Sequence, residues 1–291
     1  MNRIDVCFRR LQKQSRKGFI SYITAGDGGL STTRKLLSDF TGAGVDIVEL
    51  GVPFSDPLAD GVVNQKAAER ALAHGTTLSK ILALVKNFRR QSRPLRASAT
   101  SAESQLPIVL FTYFNPIHRY GVKRFVRDAV AAGVDGVLVL DLPPEEAVAY
   151  QALLSRSALK TIYLIAPTTP PQRIAQIARR ATGFIYYVSR EGVTGMQRAL
   201  SNSIASRVKK IRSYTKVPVA VGFGISTPAQ ARQVAQIADA VVVGSAIVAR
   251  MARPVPRWGR CAGTRLLPTN TTSLNGTAPS TGGITPTSRS S

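Results

Sequence analysis

Residues 121–140 read Gly121-Val-Lys-Arg-Phe-Val-Arg-Asp-Ala-Val-Ala-Ala-Gly133-Val-Asp-Gly-Val-Leu-Val-Leu140. The first twelve have helical period and close on Ala132-Gly133, where a left-handed cap is expected. A short apolar run, Gly136–Leu140, follows at once. A run that is apolar throughout, rather than alternately, is a strand buried on both faces. Helix followed by buried strand is the repeating unit of an α/β fold, and the same unit recurs along the chain. The other runs are Phe19–Thr24, Asp46–Leu50, Pro107–Tyr113, Lys160–Ile165, Gly183–Val188, Val217–Val221 and Ala240–Val243. Amphipathic stretches at 31–43, 78–89, 145–155, 171–181, 203–213 and 227–237 lie between them. Eight strands in series with helices predict a (β/α)8 TIM barrel rather than an open doubly wound sheet. The chain has 291 residues, enough for one barrel of about 250.

Both ends depart from the repeat. Residues 1–17 are basic and acid-poor but lack the apolar core of a secretory signal. Ile4, Cys7, Phe8 and Leu11 share one helical face, so a packed N-terminal helix is expected. Residues 91–106 form a polar connection. Residues 254–291 are rich in Pro, Gly, Ser, Thr and Arg, carry no acid and have no helical period. The expected division is therefore a barrel over 1–253 and a low-complexity, disordered tail over 254–291, with the final barrel helix missing or replaced.

Composition excludes several classes. Two cysteines (Cys7, Cys261) cannot by themselves build a disulfide framework or a four-ligand zinc site, and two histidines (His74, His118) leave little for a His-based metal centre. No stretch approaches the roughly 20 apolar residues of a membrane helix. A reduced, cytoplasmic, metal-free protein is expected. The 39 basic against 16 acidic residues give a net charge of +23, a balance that can signal nucleic acid. Here the excess is dispersed over 1–17, 80–96, 207–216 and 250–265, and no nucleic-acid motif accompanies it, so solvated outer faces explain it better. By contrast, residues 36–65 contain no Lys or Arg but hold Asp39, Asp46, Glu49, Asp56 and Asp60, which suggests acids kept for a local task.

Reactive groups of such barrels sit where strands end at their C-termini. Glu49 stands inside an otherwise apolar strand, so it must be paired, protonated or lining a pocket. A carboxyl group with a raised pKa suits proton transfer near neutral pH. Asp60 follows eleven residues later, in a loop able to fold over the mouth; two acids in unlike environments can divide acid and base roles. Asp56 reads equally well as a reactive acid and as a turn or cap residue. Ser189–Gly195, Val221–Ser226 and Val243–Ala246 are glycine-bearing loops after the last three strands, of the kind whose backbone N–H groups hold phosphate.

The stretch Glu49-Leu-Gly-Val-Pro-Phe-Ser-Asp-Pro-Leu-Ala-Asp60-Gly61 resembles the signature of the tryptophan synthase alpha chain family. Supporting matches are Thr24–Asp27, Asp135–Pro143, Ser189–Gly195 and Gly222–Ser226, and the resemblance covers residues 1–252. It implies a lyase of tryptophan biosynthesis, an aromatic amino-acid pathway: indole-3-glycerol phosphate is cleaved to indole and glyceraldehyde 3-phosphate without a metal or Schiff base. It implies Glu49 and Asp60 as the catalytic carboxylates and Thr194 as the lid residue that orients Asp60. Phosphate would rest on Gly195, Gly224, Gly244 and Ser245, and indole among Tyr22, Tyr113, Tyr186 and Phe223. It further implies no cofactor in this chain, but a beta chain partner carrying pyridoxal phosphate in an alpha2beta2 heterotetramer. Pro53–Asp60 and one side of Pro107–Tyr120 would contribute the docking surface.

Three features depart from the family pattern: Glu191 in the lid, Leu140 where a smaller residue often lines the pocket, and the tail. They leave open an alternative in which a catalytically weak subunit only binds and activates a beta chain. A nucleic-acid binder is the third reading, resting on charge alone.

Overall fold

The computed structural model describes residues 1–91, 105–189, 197–222 and 224–252. Eight parallel strands close into a barrel in sequence order, each hydrogen-bonded to the next and the last to the first. They are β1 (Gly18–Thr24), β2 (Ile47–Gly51), β3 (Ile108–Thr112), β4 (Gly136–Val139), β5 (Lys160–Ile165), β6 (Ile185–Val188), β7 (Val219–Gly222) and β8 (Ala240–Val243). Every one overlaps a run expected from sequence. The helices are α1 (Arg3–Lys13), α2 (Leu30–Gly42), α3 (Val62–Ala73), α4 (Leu78–Gln91), α5 (Phe114–Tyr120), α6 (Val122–Ala132), α7 (Val148–Ser155), α8 (Pro171–Arg180), α9 (Gln197–Arg212), α10 (Pro228–Ala235) and α11 (Ser245–Met251).

The opening stretch folds as its pattern requires. Phe125, Val126, Ala129 and Ala132 form the buried stripe of α6. Gly133, at φ 84°, ends the helix in the left-handed region that a side chain would strain. The chain then enters β4. Phe125 and Ala129 belong to the same buried cluster as Val137 and Leu110, between strands and helices.

Three helices differ from expectation. α3 and α5 follow the mouth loops of β2 and β3 directly, and α3 was masked by its weak amphipathicity: it buries only Ala67, Ala68 and Ala71. α7 begins at Val148 rather than 145, because Pro143–Ala147 form a turn in which Pro143 O accepts the N–H groups of Glu146 and Ala147. After β8, α11 gives two turns of helix, with Val248 fully buried against Tyr22 and Ala67. The expected tail, and any replacement for the final helix, lie outside the described residues.

The N-terminal end of the barrel is a fastened floor. α1 lays Ile4, Cys7 and Leu11 across it, against Ile20, Ile47, Val109 and Leu138 of the barrel interior. Four side chains then repeat one device. Asp46 accepts the Phe19 N–H at 3.0 Å, Asp135 the Ile108 N–H at 2.8 Å, Thr182 the Thr161 N–H at 2.9 Å and Asp239 the Val219 N–H at 2.9 Å. Each acceptor precedes an even-numbered strand and holds the start of the odd-numbered strand before it. Arginines close around the acids: Arg10 on Asp46, Arg3 and Arg89 on Asp135, Arg212 on Asp239. Asp46 thus belongs to the floor, not to a reactive group as the acidic 36–65 stretch suggested.

Candidate active site

β2 delivers Glu49 into the barrel interior because its side chains alternate between faces: Val48 and Leu50 point to the helix layer, Ile47 and Glu49 inward. Glu49 pairs in register with Tyr22 on one side and Val109 on the other. It is fully buried, and neither carboxyl oxygen has a hydrogen-bond partner. With nothing to offset lost hydration, burial alone pushes its pKa up to about 8. Near neutral pH it therefore carries a proton that it can give up and take back.

Tyrosines surround this acid. Tyr186 of β6 and Tyr22 of β1 are both buried, and both feel the Glu49 charge, which together with burial raises their own pKa values. Glycines make room for them. A Cβ at Gly51 would collide with the Tyr22 hydroxyl, and one at Gly222 would lie 2.6 Å from the Tyr186 hydroxyl. Phe111 meets the Tyr22 ring edge-on at 5.0 Å, and Leu140 packs into the same interior, as its position beside Asp141 suggested. The inner wall is thus aromatic and apolar, with one protonatable group.

Asp60 lies at the rim, partly buried. Its Oδ2 accepts the Tyr113 hydroxyl at 2.8 Å, and the same Tyr113 oxygen accepts the Ala59 N–H at 3.0 Å. Burial raises the Asp60 pKa, against the pull of hydrogen bonds from Tyr113 and Asn64. The Phe54 ring sits 5.3 Å from that of Tyr113, so three contacts with Tyr113 pin the β2 loop to the start of α5. Tyr22 links the two acids, since both charges act on its hydroxyl. Asp56 is exposed and its backbone oxygen accepts the Leu58 N–H, in keeping with a turn residue.

Of the phosphate-type loops, Gly224 has φ 74°, a conformation that favours glycine, and is exposed. Gly244 precedes α11 as its N-cap, and Ser245 opens that helix with its surface exposed. Gly244 also lies against Tyr22, where an added Cβ would come 3.3 Å from the Tyr22 Cβ and 3.4 Å from its ring. Thr194, Gly195, Glu191 and Phe223 lie outside the described residues.

Sequence reasoning missed the supports of the rim. Arg70 of α3 grips Asp27 with two bonds, Nε to Oδ1 at 2.7 Å and Nη2 to Oδ2 at 2.8 Å, joining the β1 loop to α3. Gln65 donates to the Asp60 backbone oxygen at 2.9 Å. Asp141 caps α5 by accepting the Phe114 N–H at 2.6 Å. An acid in the Thr24–Asp27 loop was the available signal for the first. Among the described residues, no group of His, Cys, Asp and Glu could hold a metal ion, and no helix is long and apolar enough to cross a membrane.

Fold and site together define a (β/α)8 barrel whose titratable groups converge at the C-terminal mouth, the placement common to barrel enzymes. Comparison with known proteins narrows the class. The family model described as tryptophan synthase alpha chain matches residues 8–262. Over 248 residues the chain is 53% identical to the tryptophan synthase alpha chain of Geotalea daltonii and 52% identical to that of Geobacter sulfurreducens. Each alignment covers 85% of this chain and 89% of the relative. The crystal structure of tryptophan synthase subunit alpha from Legionella pneumophila superposes with a TM-score of 0.75 at 40% identity, covering 86% of this chain and 88% of that one. The chain belongs to the tryptophan synthase alpha chain family.

Proposed function

We infer that the chain cleaves indole-3-glycerol phosphate to indole and glyceraldehyde 3-phosphate. The observation that carries this reading is Glu49: fully buried, unpartnered, protonated near neutral pH and set among aromatic rings at the mouth of the barrel. Breaking the bond between the indole ring and the glycerol chain needs an electron sink. Glu49 supplies it by protonating the ring carbon that bears the chain, leaving a cationic indolenine. The glycerol hydroxyl then returns its proton to the Glu49 carboxylate. Its oxygen becomes the aldehyde as the carbon–carbon pair collapses into the ring and regenerates indole. Asp60, oriented by Tyr113, holds the indole N–H and steadies the positive charge on the ring.

The remaining roles complete the substrate's path. Tyr22, Tyr113, Tyr186 and Phe223 enclose the indole; Gly195, Gly224, Gly244 and Ser245 hold the phosphate on backbone N–H groups; Thr194 closes on Asp60. The chain uses no cofactor or metal of its own. Its partner is a beta chain carrying pyridoxal phosphate, in an alpha2beta2 assembly in the cytoplasm. Leu58, 91% exposed beside Phe54 and Pro57, together with the exposed Val62, supports a docking surface on the β2 loop. The barrel of residues 1–253 performs this chemistry, and 254–291 is an appendage to it.

Glu49 buried without a partner and Asp60 bonded by Tyr113 support the catalytic reading over that of a partner that only activates a beta chain. The test is indole release from the purified chain, with and without a beta chain, set against Glu49→Gln. Glutamine keeps the shape and cannot give up a proton, so turnover should fall by at least about 100-fold. A variant that turns over like the parent would end the assignment.

A further inference from the structure

At the opposite end of the barrel from Glu49 lies a hollow of about 650 Å3, between α1, the turn into β1 and the residues just before β7. That volume is in the range of small-molecule sites. Phe8, Val217 and Pro218 give it an apolar wall, and Arg9, Arg16, Lys17 and Lys216 line it with positive charge. Its two carboxylates are engaged elsewhere. Asp5 pairs with Lys160 at 3.0 Å, and Asp239 pairs with Arg212 at 2.7 Å while accepting the Val219 N–H. Among the described residues, Arg9, Lys17 and Lys216 form no ion pair, and Arg16 reaches Asp46 only at 3.8 Å with half its side chain exposed. Ser15 stands in the wall at φ 51°, the one non-glycine residue with positive φ among those described. The fold holds a strained turn there, and that turn carries Arg16 and Lys17 to the hollow's edge.

Four cations face one concavity whose two carboxylates are already paired with Lys160 and Arg212, so among the described residues the lining keeps an excess of positive charge. We propose that this hollow binds a small organic polyanion, bearing two or more phosphate charges and a flat or apolar part that rests on Phe8 and Pro218. Several charges are needed because each exposed cation alone attracts weakly in water. Phosphate suits the arginines because a guanidinium presents paired donors to it.

Calorimetric titration of the full chain with adenosine diphosphate and with pyrophosphate tests this. Arg9→Gln with Lys216→Gln removes two cations from the hollow; Lys86→Gln with Lys123→Gln removes the same charge from outer helices and serves as the control. The expected result is one-to-one binding, tighter for the nucleotide, weakened ~10-fold by the first pair and less than about twofold by the second. Equal weakening by both pairs would reduce the effect to the overall charge of the chain and overturn the proposal. Binding unchanged in the Arg9, Lys216 variant would place the anion elsewhere and overturn it too. So would the lack of any binding at millimolar probe, or pyrophosphate binding as tightly as the nucleotide. Matching thermal melts of the two double variants exclude misfolding as the cause of a difference.

Discussion

The two ends of this barrel treat the same functional group in opposite ways. At the floor, Asp135 accepts bonds from Arg3, Arg89 and the Ile108 N–H, and is almost completely buried among them. At the mouth, Glu49 is buried just as deeply and bonds to nothing. A carboxylate taken out of water stays charged when donors replace its hydration and takes up a proton when they do not. The floor thus uses charge to fix strand ends, while the mouth keeps a group whose charge is free to change. Separation of stability from chemistry along the barrel axis is what lets one end be tuned without loosening the other.

The largest break in that contrast should come from the floor. Asp135→Ala strands Arg89, whose burial already pushes its pKa down to about 10, and leaves the first N–H of β3 without its acceptor. Removing one partner of a buried pair costs about 3–5 kcal/mol, so the urea midpoint should fall steeply or the chain should fail to fold at 37 °C. Any folded Asp135→Ala protein should keep its turnover, because the site lies at the other end.

Glu49→Gln should do the reverse: a loss of at least about 100-fold in turnover, near 2.7 kcal/mol, with no loss of stability. The pH dependence gives the sign. Glu49 in the fold has its pKa raised from 4.5 to about 8, so between those values the folded chain holds a proton that the unfolded chain releases. Stability then falls as pH rises from 4.5 to 8 and levels off above it. Glutamine has no such dependence, so Glu49→Gln should gain stability over the parent across that window, as read from melts at pH 5 and pH 8. Parental turnover should also decline above pH 8 as the acid loses its proton. A variant that is less stable than the parent at pH 8 would mean that Glu49 has partners after all.

Tyr113→Phe should have a smaller effect than either. It removes the hydrogen bond to Asp60 and strands the Ala59 N–H, and about a tenfold loss in kcat/KM is expected, of the order of one hydrogen bond to a charged group. Since Tyr113 pulls the Asp60 pKa down against its burial, the variant should move the acid limb of the kcat/KM profile to higher pH. An unmoved limb would remove Tyr113 from the support of Asp60.

The contrast between the ends was only half legible in the sequence. Strands and Glu49 could be read because a continuous apolar run is buried on both faces, and a lone acid within one has few places to go. Asp60 could be read from its loop. The floor could not: Asp46 and Asp135 sit beside strands as Glu49 does, and what separates them is a ring of arginines brought from α1 and α4, far away in sequence. α3 was missed for a related reason. Its buried face is alanine, chosen for close approach to Tyr22 and Val248 rather than for hydrophobic contrast, so it leaves a weak periodic trace. Arg70, which ties that helix to Asp27, is one basic residue among many in a strongly basic chain.

The smallest expected effect sharpens the comparison by holding distance constant. Lys35 approaches Asp39 to 2.7 Å on α2, the same separation as Arg89 from Asp135. The helical pair leaves 77% and 53% of its side chains exposed, against 9% and 2% for the floor pair. In water the attraction is screened and two long side chains lose freedom to make it, so Lys35→Ala should cost no more than about 0.5 kcal/mol. Adding salt should erase even that, whereas the floor pair is shielded from ions. Chemical denaturation of Lys35→Ala and Asp135→Ala at low and high salt measures the difference directly. Equal losses would mean that contact distance, not burial and the groups left behind, sets the strength of these bridges, and the division between floor and mouth would lose its physical basis.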